Sequence, residues 1–272
     1  MKTILLIDDG STAVVPAAKL ALQLARTMEA GVLIAQTYCQ AAVLAPKVLA
    51  GENRHKNVDT GSDTLHEILR KLNEEQAGYQ PRITIADLKD ADATGLAELS
   101  LRIDCAMIVR GCGKMPAGRT AVDLQSLLNK LRCPLLMIPK DWSSVTFERI
   151  TYITDLRYCL TDVMRYLAAL AGPSQACLSL AHLSARGLTP IEENYGQQLF
   201  AKVGRHVPDC KLTFNNIRER DVNRAVDVII NDLHNDLLVL VNHRFHFKEI
   251  VGERLTDQLP ERINKPLLLF PI

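Results

Sequence analysis

The strongest constraint on this chain is that it carries the same pattern twice, at a spacing as long as a small domain. Two segments recur 132 positions later: Asp104–Gly111 as Asp236–His243, and Pro134–Pro139 as Pro266–Pro271. Near the two starts, Ile4–Asp9 matches Ile150–Asp155 at an offset of 146. A repeat of roughly 130–140 residues is too long for a solenoid unit and has the size of a whole domain. The sequence therefore predicts a duplicated domain.

The two copies are predicted to span residues 1–142 and 143–272, because a polar stretch at Lys140–Phe147 follows the last apolar run of the first copy. The offset falls from 146 to 132 along the chain, so the first copy holds 14 extra residues. We place them at Ala45–Asp63, a stretch rich in Gly, Asn, Asp and Lys. This stretch is either a plain surface excursion or a functional loop.

Composition excludes several classes of function. The first copy holds 17 basic and 16 acidic residues and the second holds 15 of each, so no basic face suggests a nucleic-acid partner. The longest apolar runs have the length of strands and not of membrane spans. The seven cysteines are scattered without a Cys-x-x-Cys pattern, which argues against disulfides and zinc. We expect a soluble, cytoplasmic protein without a membrane partner.

Short β-rich runs alternate in both copies with stretches of helical spacing, such as Ala17–Met28, Leu65–Leu72 and Val222–Leu233. Continuously apolar strands that alternate with helices predict an α/β fold, an open, doubly wound parallel sheet with helices on both faces. Five strands are expected in the first copy: Thr3–Ile7, Val32–Thr37, Arg82–Ala86, Ala106–Arg110 and Leu135–Ile138. Five more are expected in the second: Ile150–Thr154, Ala176–His182, Lys211–Asn215, Leu237–Val241 and Leu267–Phe270.

Ligands of such sheets bind beyond the carboxyl ends of the strands, so the residues after the first strand are candidates. Asp8 and Asp9 are followed by Gly10, Ser11 and Thr12. A carboxylate here can accept a hydrogen bond from an adenine amino group or a ribose hydroxyl, and Gly10 permits a tight turn. The alternative is a purely structural helix start, with a hydroxyl cap and acidic residues that complement the helix dipole.

The segment after the fourth strand is the second candidate. Glycines 111, 113 and 118 precede a helix expected from about Ala121, with Lys114 and Arg119 beside them. Backbone N–H groups and a helix start in this arrangement can hold a phosphate. Thr120 with Asp123 also resembles a capping pair, which is the structural alternative for that threonine.

These residues together resemble the universal stress protein family, in two tandem copies that cover essentially the whole chain. The resemblance is carried by Ile4–Ser11, Cys105–Gly113 and Arg132–Pro139. It implies ATP or AMP binding through the first-strand Asp9, the backbone at the end of the second strand (Thr37), and a Gly-x-x-Gly-x9-Gly-Ser/Thr loop. Members of the family that lack the loop do not bind ATP.

The first copy matches that loop incompletely. Gly111 stands at the first glycine, but Lys114 stands at the second, with Gly113 one residue early. Leu124 and Gln125 stand where Gly-Ser/Thr is expected, and Gly118 and Thr120 are the nearest substitutes. The nucleotide-binding candidates are therefore Asp9, Gly10, Ser11, Thr37, Gly111, Gly113, Lys114, Gly118 and Thr120, forming a degenerate site.

The second copy departs further. Asp155 is kept, but His243-Arg-Phe-His246 replaces the glycine segment, and Glu253 follows Gly252 at the helix start. Bulky side chains and an acidic residue there oppose a triphosphate, so this copy is not expected to bind ATP. The histidines lack acidic or cysteine companions at a ligand spacing, so no metal is predicted.

No nucleophile and base are assigned, and the protein is expected not to be an enzyme. Cys112, between two glycines, is a conceivable redox-sensing thiol if nearby positive charge lowers its pKa. The resemblance implies an intramolecular pseudo-dimer in which the last strands of the copies pair; a homodimer of whole chains is left open. The expected role is a stress response, with weak adenine-nucleotide binding in the first copy. A ligand-free interaction scaffold and a slow ATP hydrolase are the alternatives.

Overall fold

Strands and helices alternate along the chain in the computed structural model. The structure describes residues 1–38, 62–89, 91–113, 122–184, 187–219, 221–233, 235–244 and 246–271. Most of the predicted insertion Ala45–Asp63 lies outside these residues, and its last two positions belong to a helix that begins at Ser62. Among the described residues no helix is long and apolar enough to cross a membrane.

Each half contains five strands among its described residues, as the sequence predicts. The strands of the first half are β1 (Thr3–Asp8), β2 (Gly31–Gln36), β3 (Ile83–Asp87), β4 (Cys105–Cys112) and β5 (Leu135–Pro139). Those of the second half are β6 (Arg149–Thr154), β7 (Cys177–Leu183), β8 (Leu212–Ile217), β9 (Leu237–Val241) and β10 (Leu267–Phe270). All ten overlap their predicted positions, which confirms the strand assignment.

Eight α-helices lie in the described residues between these strands. In the first half they are α1 (Val14–Thr27), α2 (Ser62–Glu74), α3 (Ala93–Arg102) and α4 (Leu124–Leu128). In the second they are α5 (Thr161–Ala171), α6 (Glu193–Gly204), α7 (Val222–Asp227) and α8 (Phe247–Val251). The helical stretch predicted from Val222 leaves α-geometry at Val228 and continues as a π-helical turn to Asp232.

The strands form one sheet in the order β3-β2-β1-β4-β5-β10-β9-β6-β7-β8. Every pairing within a half is parallel, and only β5 and β10 pair antiparallel. Each half therefore keeps the expected five-stranded parallel sheet, and the two sheets join edge to edge. This junction covers an edge strand of each half that would otherwise present unpaired backbone groups.

The junction has a pseudo-two-fold axis at its centre. Leu136 pairs with Leu268 there, and these two residues are equivalent in the repeat, 132 positions apart. Both are fully buried. Contacts on one side of this axis therefore have counterparts on the other, with residue numbers shifted by 132.

The sheet is apolar on both faces because both are covered by helices. Along β1, Ile4 and Leu6 face one core while Leu5 and Ile7 face the other, and all are at most 1% exposed. The first core is completed by α1, α2 and α5, and the second by α3, α4, α7 and α8. Successive strand residues point to opposite faces, so uninterrupted apolar strands require this two-sided cover.

One helix start differs from the prediction. The helix expected from about Ala121 begins at Leu124, and Asp123 is its N-cap, accepting a hydrogen bond from the Ser126 N–H at 3.1 Å. Asp123 is thus the N-cap itself and not the N3 partner of a Thr120 cap. Thr120 and Ala121 lie outside the described residues.

Truncating the axis residue should cost stability. Leu136→Ala is expected to lower the free energy of unfolding by about 2–5 kcal/mol, because it removes a fully buried side chain between the halves. Leu268→Ala should cost a similar amount because the two sites are equivalent. Urea denaturation measures both. Leu101→Ala, on a side chain that is half exposed, serves as the control and should change stability by less than about 0.5 kcal/mol.

Candidate functional site

The candidate residues after the first strand form a tight turn at the carboxyl end of β1. Asp8 Oδ1 accepts from the Gly10 N–H and Asp9 Oδ1 from the Ser11 N–H, both at 2.9 Å. Gly10 has a φ of +68°, a left-handed conformation that glycine adopts without strain. Helix α1 begins at Val14, and its N-terminus has no side-chain cap. Asp8 and Asp9 therefore shape the turn and do not cap the helix.

The Asp9 carboxylate also takes part in a buried ion-pair chain. Arg110, at the end of β4, places Nη2 3.1 Å from Asp9 Oδ2 and 2.6 Å from Asp257 Oδ1. The side chains of Asp9 and Arg110 are 5% and 1% exposed. Burial raises the pKa of Asp257, and the charge of Arg110 opposes that shift. An adenosine that bonds to Asp9 would have to compete with this guanidinium.

Gly111 is required by the fold itself. A Cβ at this position would overlap the carbonyl oxygen of Ala13 and lie 2.9 Å from the Val14 nitrogen. A Cβ on Gly113 would lie 3.0 Å from that of Ala13. The start of α1 thus occupies the space that the missing side chains leave, and these glycines pack against protein backbone.

The remaining first-half candidates divide into two groups. Thr37 lies beside β1, where its N–H donates to the Asp8 carbonyl at 3.0 Å and its hydroxyl lies 3.2 Å from the same oxygen. Lys114, Gly118 and Thr120 lie outside the described residues. The structure therefore brings Asp9, Gly10, Ser11, Gly111 and Gly113 together around the β1–α1 turn, with Thr37 at its side.

A cavity of about 480 Å³ opens next to Thr37. Its walls come from the N-terminal ends of α3 and α4, including Asp92, Thr94, Asp123 and Ser126. Lys130 closes one side, with its Nζ 2.6 Å from the Thr94 hydroxyl. Space for a small molecule thus remains in the first half, beside the turn that the sequence singles out.

In the second half, Asp155 occupies the position of Asp9 and is also paired with an arginine of the same chain. Arg157 binds it with two donors, Nε to Oδ1 at 2.8 Å and Nη2 to Oδ2 at 2.6 Å. Asp155 is fully buried and caps a 3-10 turn at Leu156–Tyr158. Asp9 and Asp155 are therefore each paired with an arginine of their own half, and that arginine lies at a different position in the two copies.

Beside Asp155 lies a serine–histidine–aspartate set that no local sequence motif indicates. His182 Nε2 is 3.1 Å from Ser184 Oγ, and His182 Nδ1 is 3.9 Å from Asp155 Oδ1. However, the Leu156 N–H donates to Nδ1 at 3.1 Å, so that nitrogen carries no proton. Nε2 then holds the ring proton and donates to Ser184, the reverse of what a general base requires.

Two other histidines have structural contacts. His246 Nδ1 lies 2.8 Å from Glu249 Oε2 and its Nε2 lies 3.1 Å from the Leu183 carbonyl oxygen. His243 Nε2 lies 3.0 Å from Asn129 Oδ1 of the first half. Within the described part of the chain no three His, Cys, Asp or Glu side chains could hold a metal ion.

The larger cavity, about 820 Å³, lies in the second half at the position equivalent to that of the first cavity. It is bounded by the ends of β7 and β8 and by the N-terminal ends of α7 and α8, with Ser184, Asp221 and His246 in its wall. The sequence suggests a blocked crevice here. In the structure His246 instead forms part of the cavity wall, because its ring is held by Glu249 and Leu183.

Cys112 is unsuited to redox sensing. It is buried, and burial raises its pKa to about 12, with only partial opposition from Arg110. The condition for a redox-sensing thiol, a pKa lowered by nearby positive charge, is therefore not met, because the loss of solvent outweighs the effect of the nearby guanidinium.

Comparison with known proteins identifies the fold. No family model and no curated protein matches the sequence. A solved universal stress protein from Archaeoglobus fulgidus DSM 4304 aligns over 98% of this chain and 97% of its own, with a TM-score of 0.61 and 10% identity.

Two structures from Pseudomonas aeruginosa also align over 99% of this chain. A protein of unknown function from strain PAO1 gives a TM-score of 0.50 at 13% identity, over 92% of its own length. A putative universal stress protein from strain UCBPP-PA14 gives 0.51 at 14% identity, over 93% of its length. The chain thus has the tandem universal stress protein fold, as its residues suggest, and identities this low establish the fold alone.

The close packing of Gly111 against the Ala13 backbone leads to a testable prediction. Gly111→Ala is expected to lower the free energy of unfolding by at least about 2 kcal/mol, because the new Cβ collides with backbone that cannot move aside. Gly95→Ala is the matched control. Its Cβ would make only ordinary contacts, with Ala91 and Asp92 just before α3, and alanine should stabilise that helix by about 0.5–1 kcal/mol. Equal effects of the two substitutions would contradict the packing role of Gly111.

The buried His182 predicts a pH dependence of stability. Burial lowers its pKa, so the folded state holds the ring neutral while the unfolded chain takes up a proton near pH 6.5. The stabilisation is complete above pH 6.5 and is lost as the pH falls, by up to about 1.4 kcal/mol per pH unit. Denaturation at pH 7.5 and 5.5 should show a smaller difference in His182→Gln than in wild type. His206→Gln, at an exposed site, should keep the wild-type difference.

Proposed function

We propose that this chain is a non-enzymatic, cytoplasmic protein of the universal stress type, which acts in a stress response by binding and not by catalysis. In this proposal the first half binds an adenine nucleotide weakly, and ATP is not held in the second. The ion-pair chain Asp9–Arg110–Asp257 carries the proposal, since it occupies the carboxylate that the family resemblance assigns to adenosine.

Two features of the first half support weak binding. Arg110 and Asp9 are desolvated together, and a ligand that separates them leaves a buried charge without its partner, which is costly. The space over Gly111 is filled by the start of α1, so a triphosphate cannot approach that part of the glycine segment closely. The neighbouring cavity of about 480 Å³ leaves room for a base or sugar at low affinity.

The absence of catalysis is supported by the tautomer of His182. The set of Ser184, His182 and Asp155 has its imidazole proton directed at Ser184, because the Leu156 N–H donates to the other ring nitrogen. Such a ring cannot take the serine proton. An acyl-transfer or hydrolase role for this set is therefore disfavoured.

The size of the second cavity favours a second candidate function, small-molecule binding in the second half. A volume of about 820 Å³ lies in the range of ligand sites in proteins. Its wall mixes apolar side chains such as Leu183, Ile217 and Val222 with polar ones such as Ser184 and Asn223. This combination suits a compact organic molecule better than a triphosphate.

Calorimetric titration with ATP and AMP tests the main proposal. We expect binding to a single site with a dissociation constant on the order of 0.1 mM or weaker, because Arg110 stays bound to Asp9 and leaves the nucleotide only the neighbouring cavity. Asp9→Asn should change the wild-type affinity less than about threefold. Two tight sites per chain, or tight binding that Asp9→Asn abolishes, would contradict the proposal.

A separate assay addresses catalysis. Purified protein should release no phosphate from ATP above the buffer background, and a fluorophosphonate probe should not label Ser184. Ser184→Ala and His182→Gln are the matched variants. Labelling or phosphate release that disappears in either variant would establish an enzyme instead.

A further inference from the structure

Two ion pairs among the described residues join a base of one half to an acid of the other. In the first pair, Nη2 of Arg110 in the first half lies 2.6 Å from Oδ1 of Asp257 in the second. In the other pair, Nη2 of Arg254 in the second half lies 2.8 Å from Oδ2 of Asp123 in the first. Arg254 is 71% exposed, and exposed pairs contribute little. Arg110 is 1% and Asp257 23% exposed, so their contact is the one with consequences for pairing.

The pseudo-two-fold axis at Leu136 and Leu268 assigns this buried contact a counterpart. The equivalents of Arg110 and Asp257, 132 positions away, are Asn242 and Gln125. These two also meet across the boundary, where Gln125 Nε2 donates to Asn242 Oδ1 at 3.4 Å. The same place in the interface is therefore ionic on one side of the axis and neutral on the other.

This asymmetry distinguishes the observed pairing from pairing between like halves. Two first halves joined through β5 would set Arg110 against Gln125 twice, which leaves each guanidinium with Asp9 as its sole carboxylate. Two second halves joined through β10 would set Asp257 against Asn242 twice, which leaves each half-buried carboxylate without a cation. Only the pairing of unlike halves matches charge with charge and amide with amide.

We infer that the surface of each half around β5 and β10 is complementary in charge to the other half. The ion pair Arg110–Asp257 on one side of the axis and the amide pair Gln125–Asn242 on the other disfavour pairing with a second copy of the same half. The partner that fits this surface is thus the other half of the chain. A further copy of the protein is excluded from it. The inference does not depend on nucleotide binding.

The Arg110–Asp257 contact affects the specificity of pairing between halves more than it affects stability. Burial raises the pKa of Asp257 even with Arg110 present, so keeping this carboxylate charged in the interface is unfavourable in itself. The cost is larger wherever Arg110 is absent, as in a pair of second halves. Discrimination by a penalty on the wrong partner needs no net gain with the right one.

Refolding experiments on the full chain test this inference. Wild-type protein, unfolded in urea and refolded at high concentration, should be monomeric by size-exclusion chromatography with light scattering. Asp257→Asn removes the penalty in a pair of second halves, and Gln125→Glu supplies Arg110 with an acid in a pair of first halves. Each variant should raise the dimer-to-monomer equilibrium constant about tenfold, the effect of losing a modest preference.

Asp236→Asn is the control. Asp236 accepts hydrogen bonds from the Glu148 and Arg149 N–H groups, at 2.9 and 3.0 Å, wholly within the second half. Removing the charge of this carboxylate should destabilise the fold without changing the oligomeric state. Monomeric Asp257→Asn and Gln125→Glu would overturn the inference, and so would dimers of Asp236→Asn in equal amount. If Asp257→Asn does not fold, Gln125→Glu alone decides, because it leaves the Arg110–Asp257 pair intact.

Discussion

The antiparallel pairing of β5 with β10 is the interaction on which the rest of the structure depends. It closes one edge of each five-stranded sheet and fixes a pseudo-two-fold axis at Leu136 and Leu268. It also brings the carboxyl end of β4 within reach of the second half, where Asp257 meets Arg110. On the other side of the axis, Asn242 at the end of β9 is held by Asn129 and Gln125 of the first half. Each half thus completes the strand-four end of the other.

The two copies satisfy the same buried carboxylate in different ways. Asp9 is bound by Arg110 from β4, whereas Asp155 is bound by Arg157, two residues further along the chain. In both copies, an arginine occupies the carboxylate that a ligand would use as a hydrogen-bond acceptor. The cavities that remain are displaced toward the ends of the second and third strands of each half, and the larger one belongs to the copy with fewer glycines. The second half therefore keeps an open cavity although it lacks the glycine segment of the first.

The sequence predicts the fold well because the physical basis is local and repeated. The central strands β1, β5, β9 and β10 are apolar runs bounded by polar residues or proline, and the second half repeats the order of elements of the first. Even the pairing of the last strands follows from the family resemblance. The sequence predicts the start of α4 three residues too early, because Asp123, which is the N-cap, fits equally well as the partner of Thr120 in a capping pair.

The site was less predictable because it depends on contacts between distant residues. The arginine pairing of Asp9 joins positions 101 residues apart, and Asp257 reaches Arg110 from the other half. No spacing rule gives either contact. The sequence suggests a phosphate contact for Gly111, because glycines ahead of a helix start often bind phosphate. Its actual neighbour, the backbone of Ala13, becomes apparent only when α1 is packed on β4. The Arg157–Asp155 pair, in contrast, is local in sequence, since the two residues are two apart.

A crystal structure of the full chain grown with ATP and magnesium tests the central claim most directly, since it would show the contacts of Asp9 in the presence of nucleotide. We expect Arg110 to stay within hydrogen-bond distance of both Asp9 and Asp257, with Ala13 packed against Gly111. A triphosphate lying along Gly111 and Gly113, with adenosine bonded to Asp9 and Arg110 displaced, would contradict it.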